Sequence, residues 1–299
     1  MTPNEYLAKV LSAQTFDADS AELKDLQARR AEVEQHLRSH FAESSPTIRY
    51  GGSKAKGTMI KECYDLDIVC YFEHDDSGGG ETLEDIYNNV CRALEDEYLI
   101  EKKSSAVRLK DASAEKHGAD FHIDVVPGRF TDAEQADAFL YISSGEKRRL
   151  KTNLDVHIAH VKGSGVIDAI RLMKLWKARN RLGVRNFILE LTVIELLKSK
   201  KTAGIADQVE HVLKQLRDNI DDIVIKDPAN PEGNDLSRLF ADASQALSSD
   251  ASRTLDLIRD SSWEAVFGEI DEDDRTARTA ALRRAAAVST PSRAWCRDA

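Results

Sequence analysis

Two closely spaced aspartates carry the chemistry that this sequence suggests first. In the segment DLDIVCYF, Asp65 and Asp67 are separated by a single residue. On a strand, residues two apart point to the same face, so these carboxylates project together while Leu66 and Ile68 enter the core. Adjacent carboxylates repel each other, and a hard divalent cation such as Mg²⁺ relieves that repulsion. The pattern favours a metal site, although a charged pair at a strand edge would look the same.

A third aspartate lies on a later predicted strand. In ADFHIDVVP, alternation places Asp120, His122 and Asp124 on one face, and Asp124 comes just before a Val-Val-Pro stop. Carboxylates from two neighbouring strands can hold two Mg²⁺ or Mn²⁺ ions about 3.5 to 4 Å apart. Asp65, Asp67 and Asp124 therefore indicate phosphoryl or nucleotidyl transfer.

A glycine-serine turn precedes the first two aspartates. Gly51 and Gly52 allow the backbone to approach phosphate oxygens, and the N–H groups of a following helical turn can bind anions. Ser53 and Thr58 can add hydroxyl donors. The spacing does not fit a Walker A loop, which would end in GK[ST], so an ordinary P-loop ATPase is disfavoured. The segment predicts a phosphate-binding turn, with a plain structural turn as the alternative.

Composition narrows the class of protein. A chain of 299 residues favours two lobes, although one large domain remains possible. The formal net charge of -10 argues against nucleic acid as the main partner, while leaving room for a local basic cleft. The four cysteines have no metal-ligand spacing, so we expect reduced packing thiols and no zinc.

Nothing in the sequence predicts membrane insertion. The start, MTPNEYLAKV, lacks the layout of a signal peptide. The most apolar stretch, NFILELTVIELL, is interrupted by Glu190 and Glu195 and is too short to span a bilayer. We therefore expect a cytoplasmic protein.

Periodicity predicts an α+β chain. Residues 19–41 fit a long, partly exposed helix, and TLEDIYNNVCRALEDEYL fits a second one. TIRY, DLDIVCYF, SAVRLK and ADFHIDVVPG fit strands of a mixed sheet, the last closed by its proline and glycine. After residue 160 the pattern is helical, with separate helices expected over residues 236–249 and 254–268. We expect a catalytic core at 1–160, a helical nucleotide-binding lobe at 161–270 and a flexible tail at 271–299.

Several motifs together resemble a known family. GGSKAKGT, DLD and HIDVVPG resemble the signature of the polymerase beta-like nucleotidyltransferases. The segments TNLDVHIAHV, RLMKLWKARN, NFILELTVIELL and KDPANPEGND make the helical half similar to bacterial cyclic GMP-AMP synthase-like and dinucleotide cyclase-like enzymes, and to animal oligoadenylate synthetases. The resemblance runs from about residue 45 to about residue 245. It implies a polymerase beta-like core with a long N-terminal spine helix and a C-terminal helical bundle.

The resemblance also implies an activity. Such enzymes join nucleoside triphosphates, here with UTP as one possible substrate, into a cyclic di- or trinucleotide second messenger and release pyrophosphate. In bacteria the product activates an effector protein in antiphage signalling. The alternative is a nucleotidyltransferase that modifies an RNA, a protein or a small molecule. A nucleotide-sensing module without catalysis is disfavoured by the presence of all three aspartates.

Site residues follow by similarity. Asp65, Asp67 and Asp124 are the expected catalytic and metal-binding residues, with Mg²⁺ or Mn²⁺ as cofactor. The expected nucleotide-binding residues are Gly52, Ser53, Arg171, Lys174, Asn186 and Phe187. Arg171, Lys174 and Lys177 are three apart and predict one basic helix face for the triphosphate, with a solvated charged face as the alternative.

Two residues are expected to recognise the nucleobase of the substrate. Asn186 offers an amide donor and acceptor to a base edge such as that of uracil or adenine. Phe187, where the family more often has tyrosine, offers a stacking face, with a core residue as the alternative. We interpret Trp176 as core and His122, His157 and His160 as structural. Some relatives are conjugated through a small C-terminal residue, which here would be Ala299.

Overall fold

The fold is described from a computed structural model that covers residues 1–17, 19–110, 123–144, 147–234 and 236–270, apart from the side chain of residue 22. The expected tail at 271–299, with Cys296 and Ala299, lies outside these residues, as do Asp120 and His122. Two compact units are present. One comprises Met1–Ser20, Gly52–Tyr64 and Asn153–Ile270, and the other comprises Ala21–Gly51 and Asp65–Thr152. The N-terminal segment and the residues after Gly51 thus group with the later helices.

Helices and strands of the described residues are numbered in chain order. The helices are α1 (Pro3–Ala13), α2 (Ala21–His40), α3 (Gly52–Lys56), α4 (Leu83–Glu95), α5 (Leu154–Lys162), α6 (Ile167–Arg179), α7 (Asn186–Leu196), α8 (Ile205–Asp218), α9 (Ser237–Asp260) and α10 (Trp263–Phe267), with a short 3₁₀ turn at Ile220–Asp222. The strands are β1 (Thr47–Tyr50), β2 (Leu66–Phe72), β3 (Leu99–Lys102), β4 (Val107–Lys110), β5 (Ile123–Phe130), β6 (Ala138–Tyr141) and β7 (Arg149–Thr152).

The unit built from Ala21–Gly51 and Asp65–Thr152 is a mixed sheet covered by helices. The described strands follow the order β1-β2-β5-β4-β3, and β6 joins β5 to β7. β2 and β5 pair in parallel, whereas the other pairs are antiparallel. α2 and α4 pack on each other and on the sheet. The expected α+β class with a mixed sheet is confirmed.

Strand β5 is longer than expected. We predicted that Pro127 and Gly128 close it, but the strand runs to Phe130. It continues because β6 pairs with Arg129 and Phe130 beyond the proline. Gly128 makes this possible, since a Cβ there would lie 2.8 Å from Leu140 and 3.0 Å from the Tyr71 ring.

The other unit is a helical bundle around α6 and α7. α7 is apolar on nearly every side, which is typical of a helix enclosed by others, and α6 buries most of its residues although it carries several charged side chains. Trp176 is buried and donates to Thr254 at 2.8 Å, as expected of a core residue. We predicted two helices over 236–249 and 254–268, and the boundary between them is wrong. α9 runs unbroken to Asp260 because no Gly or Pro interrupts it, and Ser262 caps α10.

Within the described residues, no helix combines the length and apolarity needed to cross a membrane.

Candidate active site

Asp67 and Asp124 lie side by side in the parallel pair of strands. They are register partners across β2 and β5, so both side chains leave the same face of the sheet. Asp124 is buried and Asp67 is half-buried. Asp65 precedes β2 by one residue, so it is not within the strand as expected, because regular pairing begins at Leu66.

Arg108 joins the acidic residues. It is the register partner of Asp124 on β4. Its Nε and Nη2 donate to the two carboxylate oxygens of Asp124 at 2.8 and 2.9 Å, and Nη2 lies 3.5 Å from Asp65 Oδ2. Lys103 Nζ adds a contact to Asp124 Oδ2 at 2.7 Å. Although burial opposes it, the hydrogen bond and charge of Asp124 and the charge of Asp65 raise the pKa of Arg108 above its usual value. One guanidinium thus compensates two carboxylates.

Asp65, Asp67 and Asp124 form an acidic group whose oxygen atoms are suitable ligands for a hard divalent cation. Carboxylate oxygens are the ligands that Mg²⁺ and Mn²⁺ prefer. Both oxygens of Asp124 accept hydrogen bonds from Lys103 and Arg108, however, and no cluster of three or more His, Cys, Asp or Glu side chains in the described ranges is arranged to hold a metal ion. A cation bound to Asp124 would therefore compete with these two basic side chains for the carboxylate.

The glycine turn begins beside Asp67. The Gly51 N–H donates to the Asp67 carbonyl oxygen at 2.8 Å and extends the pairing of β1 with β2. Gly52, the next residue in the chain, has φ of +49° and opens α3, and Gly57 has φ of +76° just after it. Residues with a Cβ rarely adopt this region, so the backbone path requires these glycines. Ser53 is buried on α3.

A buried ionic network holds the segment after the turn to α7. Glu190 is fully buried and contacts Lys56 in an ion pair. The Thr58 hydroxyl donates to Glu190 at 2.5 Å, so it does not face a phosphate as we expected. Lys174 Nζ donates to the Thr58 carbonyl oxygen at 2.9 Å and lies 3.7 Å from Glu190. Two cations therefore share one buried anion.

Titration of this network follows from its geometry. Burial opposes ionisation of Glu190, but the charges of Lys56 and Lys174 outweigh it and lower the pKa of this carboxyl. Burial lowers the pKa of Lys174, with Glu190 acting in the opposite direction. The two lysines thus favour the ionised form of Glu190, whereas burial disfavours the charged form of Lys174.

The three cations of the basic face predicted on α6 lie against neighbouring elements. Lys174 is only 1% exposed. Arg171 donates to the Thr15 hydroxyl at 2.6 Å, and Lys177 donates to Asn186 Oδ1 at 2.7 Å. Because α6 is enclosed by other helices, each of these cations is held by a neighbouring element, and the face is not a solvated charged one.

Phe187 is half-buried and has two polar neighbours. Its ring centroid lies 4.8 Å from that of His157, with 51° between the planes, and the Lys56 ammonium lies 5.2 Å from it. His157 Nε2 bonds to Asp227 Oδ1 at 2.7 Å. Asp227 belongs to the segment KDPANPEGND and is itself buried.

Comparisons with known proteins give the fold. No family model matches the sequence, and no curated protein matches it. Among solved structures, the Vibrio cholerae DncV cyclic AMP-GMP synthase, described as a prokaryotic cGAS homolog, superposes with a TM-score of 0.71 at 14% identity. The match covers 89% of this chain and 96% of that one. This chain has the polymerase beta-like nucleotidyltransferase fold.

Two further structures share this nucleotidyltransferase fold. Escherichia coli MS115-1 CdnC, solved in complex with HORMA-deltaN, matches with a TM-score of 0.65 at 17% identity over 89% of this chain and 97% of its own. The Bradyrhizobium diazoefficiens CD-NTase CdnG, in complex with GTP, matches with a TM-score of 0.65 at 15% identity over 94% and 98%. The likeness therefore extends over nearly the whole length of each protein.

Sequence reasoning missed four residues that contact the expected site residues in this nucleotidyltransferase fold. Alternation in SAVRLK could have placed Arg108 on a chosen strand face, but not next to Asp124. A charged residue inside the apolar run NFILELTVIELL was the available signal for Glu190. Lys103 and His157 carried no signal in the sequence.

Proposed function

We propose that this chain is a template-independent nucleotidyltransferase that joins nucleoside triphosphates into a cyclic di- or trinucleotide. The observation that carries the proposal is the register of Asp67 with Asp124, with Asp65 tied to them through Arg108. It stands in a fold shared with a cyclic AMP-GMP synthase. Membership of that bacterial enzyme family is part of the proposal.

The reaction would be an in-line transfer at phosphorus. A ribose hydroxyl oxygen of one nucleotide attacks the α-phosphorus of a second, a phosphodiester bond forms, and the bond to the β-phosphate oxygen breaks. Pyrophosphate leaves, and the hydroxyl proton passes to the Asp124 carboxylate. A second transfer of the same kind closes the ring of a cyclic dinucleotide, and a third closes that of a cyclic trinucleotide, each with release of pyrophosphate.

Asp65, Asp67 and Asp124 would hold Mg²⁺ or Mn²⁺, whose charge would neutralise the triphosphate and lower the pKa of the attacking hydroxyl. Before that, the same carboxylates are compensated by Arg108 and Lys103. Repulsion between the carboxylates would thus be reduced by these two basic side chains until the metal ion and the substrate bind.

The triphosphate would be bound by Gly52 and Ser53, with Arg171 and Lys174 contributing by resemblance. The Lys174 ammonium donates to the carbonyl oxygen of Thr58. Lys174 would therefore contribute positive charge to the site and hold the backbone that follows α3 in place. Arg171 would add charge from the same helix.

The base would stack on Phe187 and be read by Asn186. Since Lys177 holds Asn186 Oδ1, the amide nitrogen of Asn186 is the group left to donate, for example to a uracil carbonyl oxygen. UTP is therefore one proposed substrate. We further propose a cytoplasmic enzyme whose product activates an effector protein in antiphage defence.

The test is product formation from the four triphosphates with Mg²⁺ or Mn²⁺. We expect a phosphatase-resistant product whose mass gives ring size and bases, and no product with a chelator. A double Asp65→Asn/Asp67→Asn variant should be inactive with unchanged melting, whereas Asp75→Asn, at an exposed loop carboxylate, should stay active. Label transferred only to added RNA, protein or a small molecule would replace the cyclase assignment with the acceptor-modifying one.

A further inference from the structure

Asp227 is a buried carboxylate, and both of its oxygens accept hydrogen bonds from groups inside the protein. Oδ1 accepts from His157 Nε2 at 2.7 Å and from the Ala229 N–H at 2.9 Å, and Oδ2 accepts from Asn234 Nδ2 at 2.7 Å. Burial opposes ionisation, yet the hydrogen bonds from His157 and Asn234 lower the pKa of Asp227. Asp227 is therefore suited to orient His157 rather than to bind a ligand.

The Asp227 contact fixes the imidazole of His157. In an imidazole that carries its single proton at Nε2 and donates it to a carboxylate, Nδ1 is the hydrogen-bond acceptor. In the described part of the chain, Asp227 is the side chain to which the imidazole hydrogen-bonds. The His157 side chain is 17% exposed, so it lies at the edge of the bundle rather than in its core.

The oriented imidazole lies against the aromatic ring that would stack a base. The centroids of His157 and Phe187 are 4.8 Å apart. Asn186, adjacent to Phe187 at the start of α7, keeps its amide nitrogen as a donor because Lys177 takes its oxygen. An acceptor, a donor and an aromatic ring on two packed helices are what recognition of a nucleobase edge requires.

We propose that His157 contacts the base of a bound nucleoside triphosphate, accepting at Nδ1 an N–H of the base edge. The inference rests on the proposed function, in which Phe187 stacks that base. It makes His157 a specificity-determining residue, not the structural residue that the sequence suggested.

The test compares binding of the four α,β-methylene nucleoside triphosphates, which cannot be cleaved at the reacting bond, to the full chain by calorimetry. The variant is His157→Gln, because Gln can retain the contact with Asp227 and lacks the Nδ1 acceptor. We expect it to lose about three- to tenfold in affinity for the preferred base and little for the others. His160→Gln, one turn further along α5 at an exposed position, is the matched control and should bind as the wild type does.

Equal affinities of wild type and His157→Gln for all four analogues, or an equal loss for all four, would overturn the inference while leaving the proposed function intact. Absence of any nucleotide binding by the wild type would instead overturn the proposed function.

A second measurement needs no variant. In ¹⁵N spectra of the wild-type imidazoles, the preferred analogue should shift the Nδ1 resonance of His157, whereas inorganic tripolyphosphate, which has no base, should not. A shift of the same size with tripolyphosphate alone would assign the effect to anion binding and contradict a base contact.

Discussion

Arg108 holds both carboxylate oxygens of Asp124, at 2.8 and 2.9 Å, from the neighbouring strand of the sheet. The pair is mostly buried, and Asp65 lies 3.5 Å from the same guanidinium. Charge compensation of the acidic group is therefore built into the sheet itself, and its consequences can be measured separately from any enzymatic activity.

Replacing Arg108 should destabilise the metal-free protein. Arg108→Gln removes a bidentate, charge-assisted pair and should lower the free energy of unfolding in urea by about 2 kcal/mol. Lys110→Gln, at an exposed cation on the same strand that pairs with Glu101, should change it by less than about 0.5 kcal/mol. Equal effects of the two substitutions would show that the Asp124 pair does not stabilise the fold.

The same variant should respond more strongly to a divalent cation. With Arg108 gone, Asp124 is compensated by Lys103 alone, so Mg²⁺ competes with less positive charge. We expect a larger Mg²⁺-induced rise in melting temperature for Arg108→Gln than for the wild type, by linkage between binding and folding. Asp65→Asn/Asp67→Asn should show no such rise, and a rise there would place the ion elsewhere.

Removing the Glu190 carboxylate should lower the free energy of unfolding more than removing the Glu195 carboxylate of the same helix, α7. Glu190→Gln leaves Lys56 and Lys174 buried without a counter-ion, so the free energy of unfolding should fall by about 3 kcal/mol or more. Glu195→Gln, on the exposed side of the same helix and paired with Lys198, should cost less than about 0.5 kcal/mol. Chemical denaturation of both variants tests this, and similar losses would contradict a special role for the buried site.

Acid should remove the stabilisation that Asp227 contributes to the folded protein. Its pKa is lowered in the folded state from the ordinary value of 3.8, so its stabilisation is present above that value and is lost as pH falls through the folded-state pKa. Asp227→Asn should therefore be less stable than the wild type at neutral pH, and the difference should shrink below pH 3.8. Unfolding free energies across this range test the sign, and a difference that grows in acid would contradict it.

Lys177 should influence nucleotide choice through Asn186. Lys177→Met releases Asn186 Oδ1, so the amide can turn and present an acceptor where it presented a donor. Relative consumption of the four triphosphates should change by about three- to tenfold. Lys198→Met, at an exposed lysine, is the control, and unchanged preference in both variants would exclude the Lys177 contact from base selection.

Local patterning predicted some parts of this structure and could not predict others. Alternation in DLDIVCYF and HIDVVPG placed Asp67 and Asp124 on equivalent strand faces, because the two-residue period of a strand is a local property. That β4 would lie beside β5, and so bring Arg108 to Asp124, depends on strand order, which no local pattern encodes. Strands β3, β6 and β7 were missed, although β1 and β4 were predicted at the same length of four residues.

The helical half shows the same limit. The apolar character of α7 was evident, but the enclosure of α6 that buries Lys174 arises from tertiary packing. α1 was missed although Thr2 and Glu5 form a capping box, a signal that was present in the sequence.

The parallel pairing of β2 with β5 also determines when the acidic group comes into existence. The two strands are far apart in the chain, so closing the intervening loop costs entropy before any contact between them is gained. On the ribosome, Asp65 and Asp67 emerge well before Arg108 and Asp124. Assembly of this group is therefore a late event of synthesis, and a nascent chain that stops short of β5 lacks Asp124 and with it the pairing that completes the group.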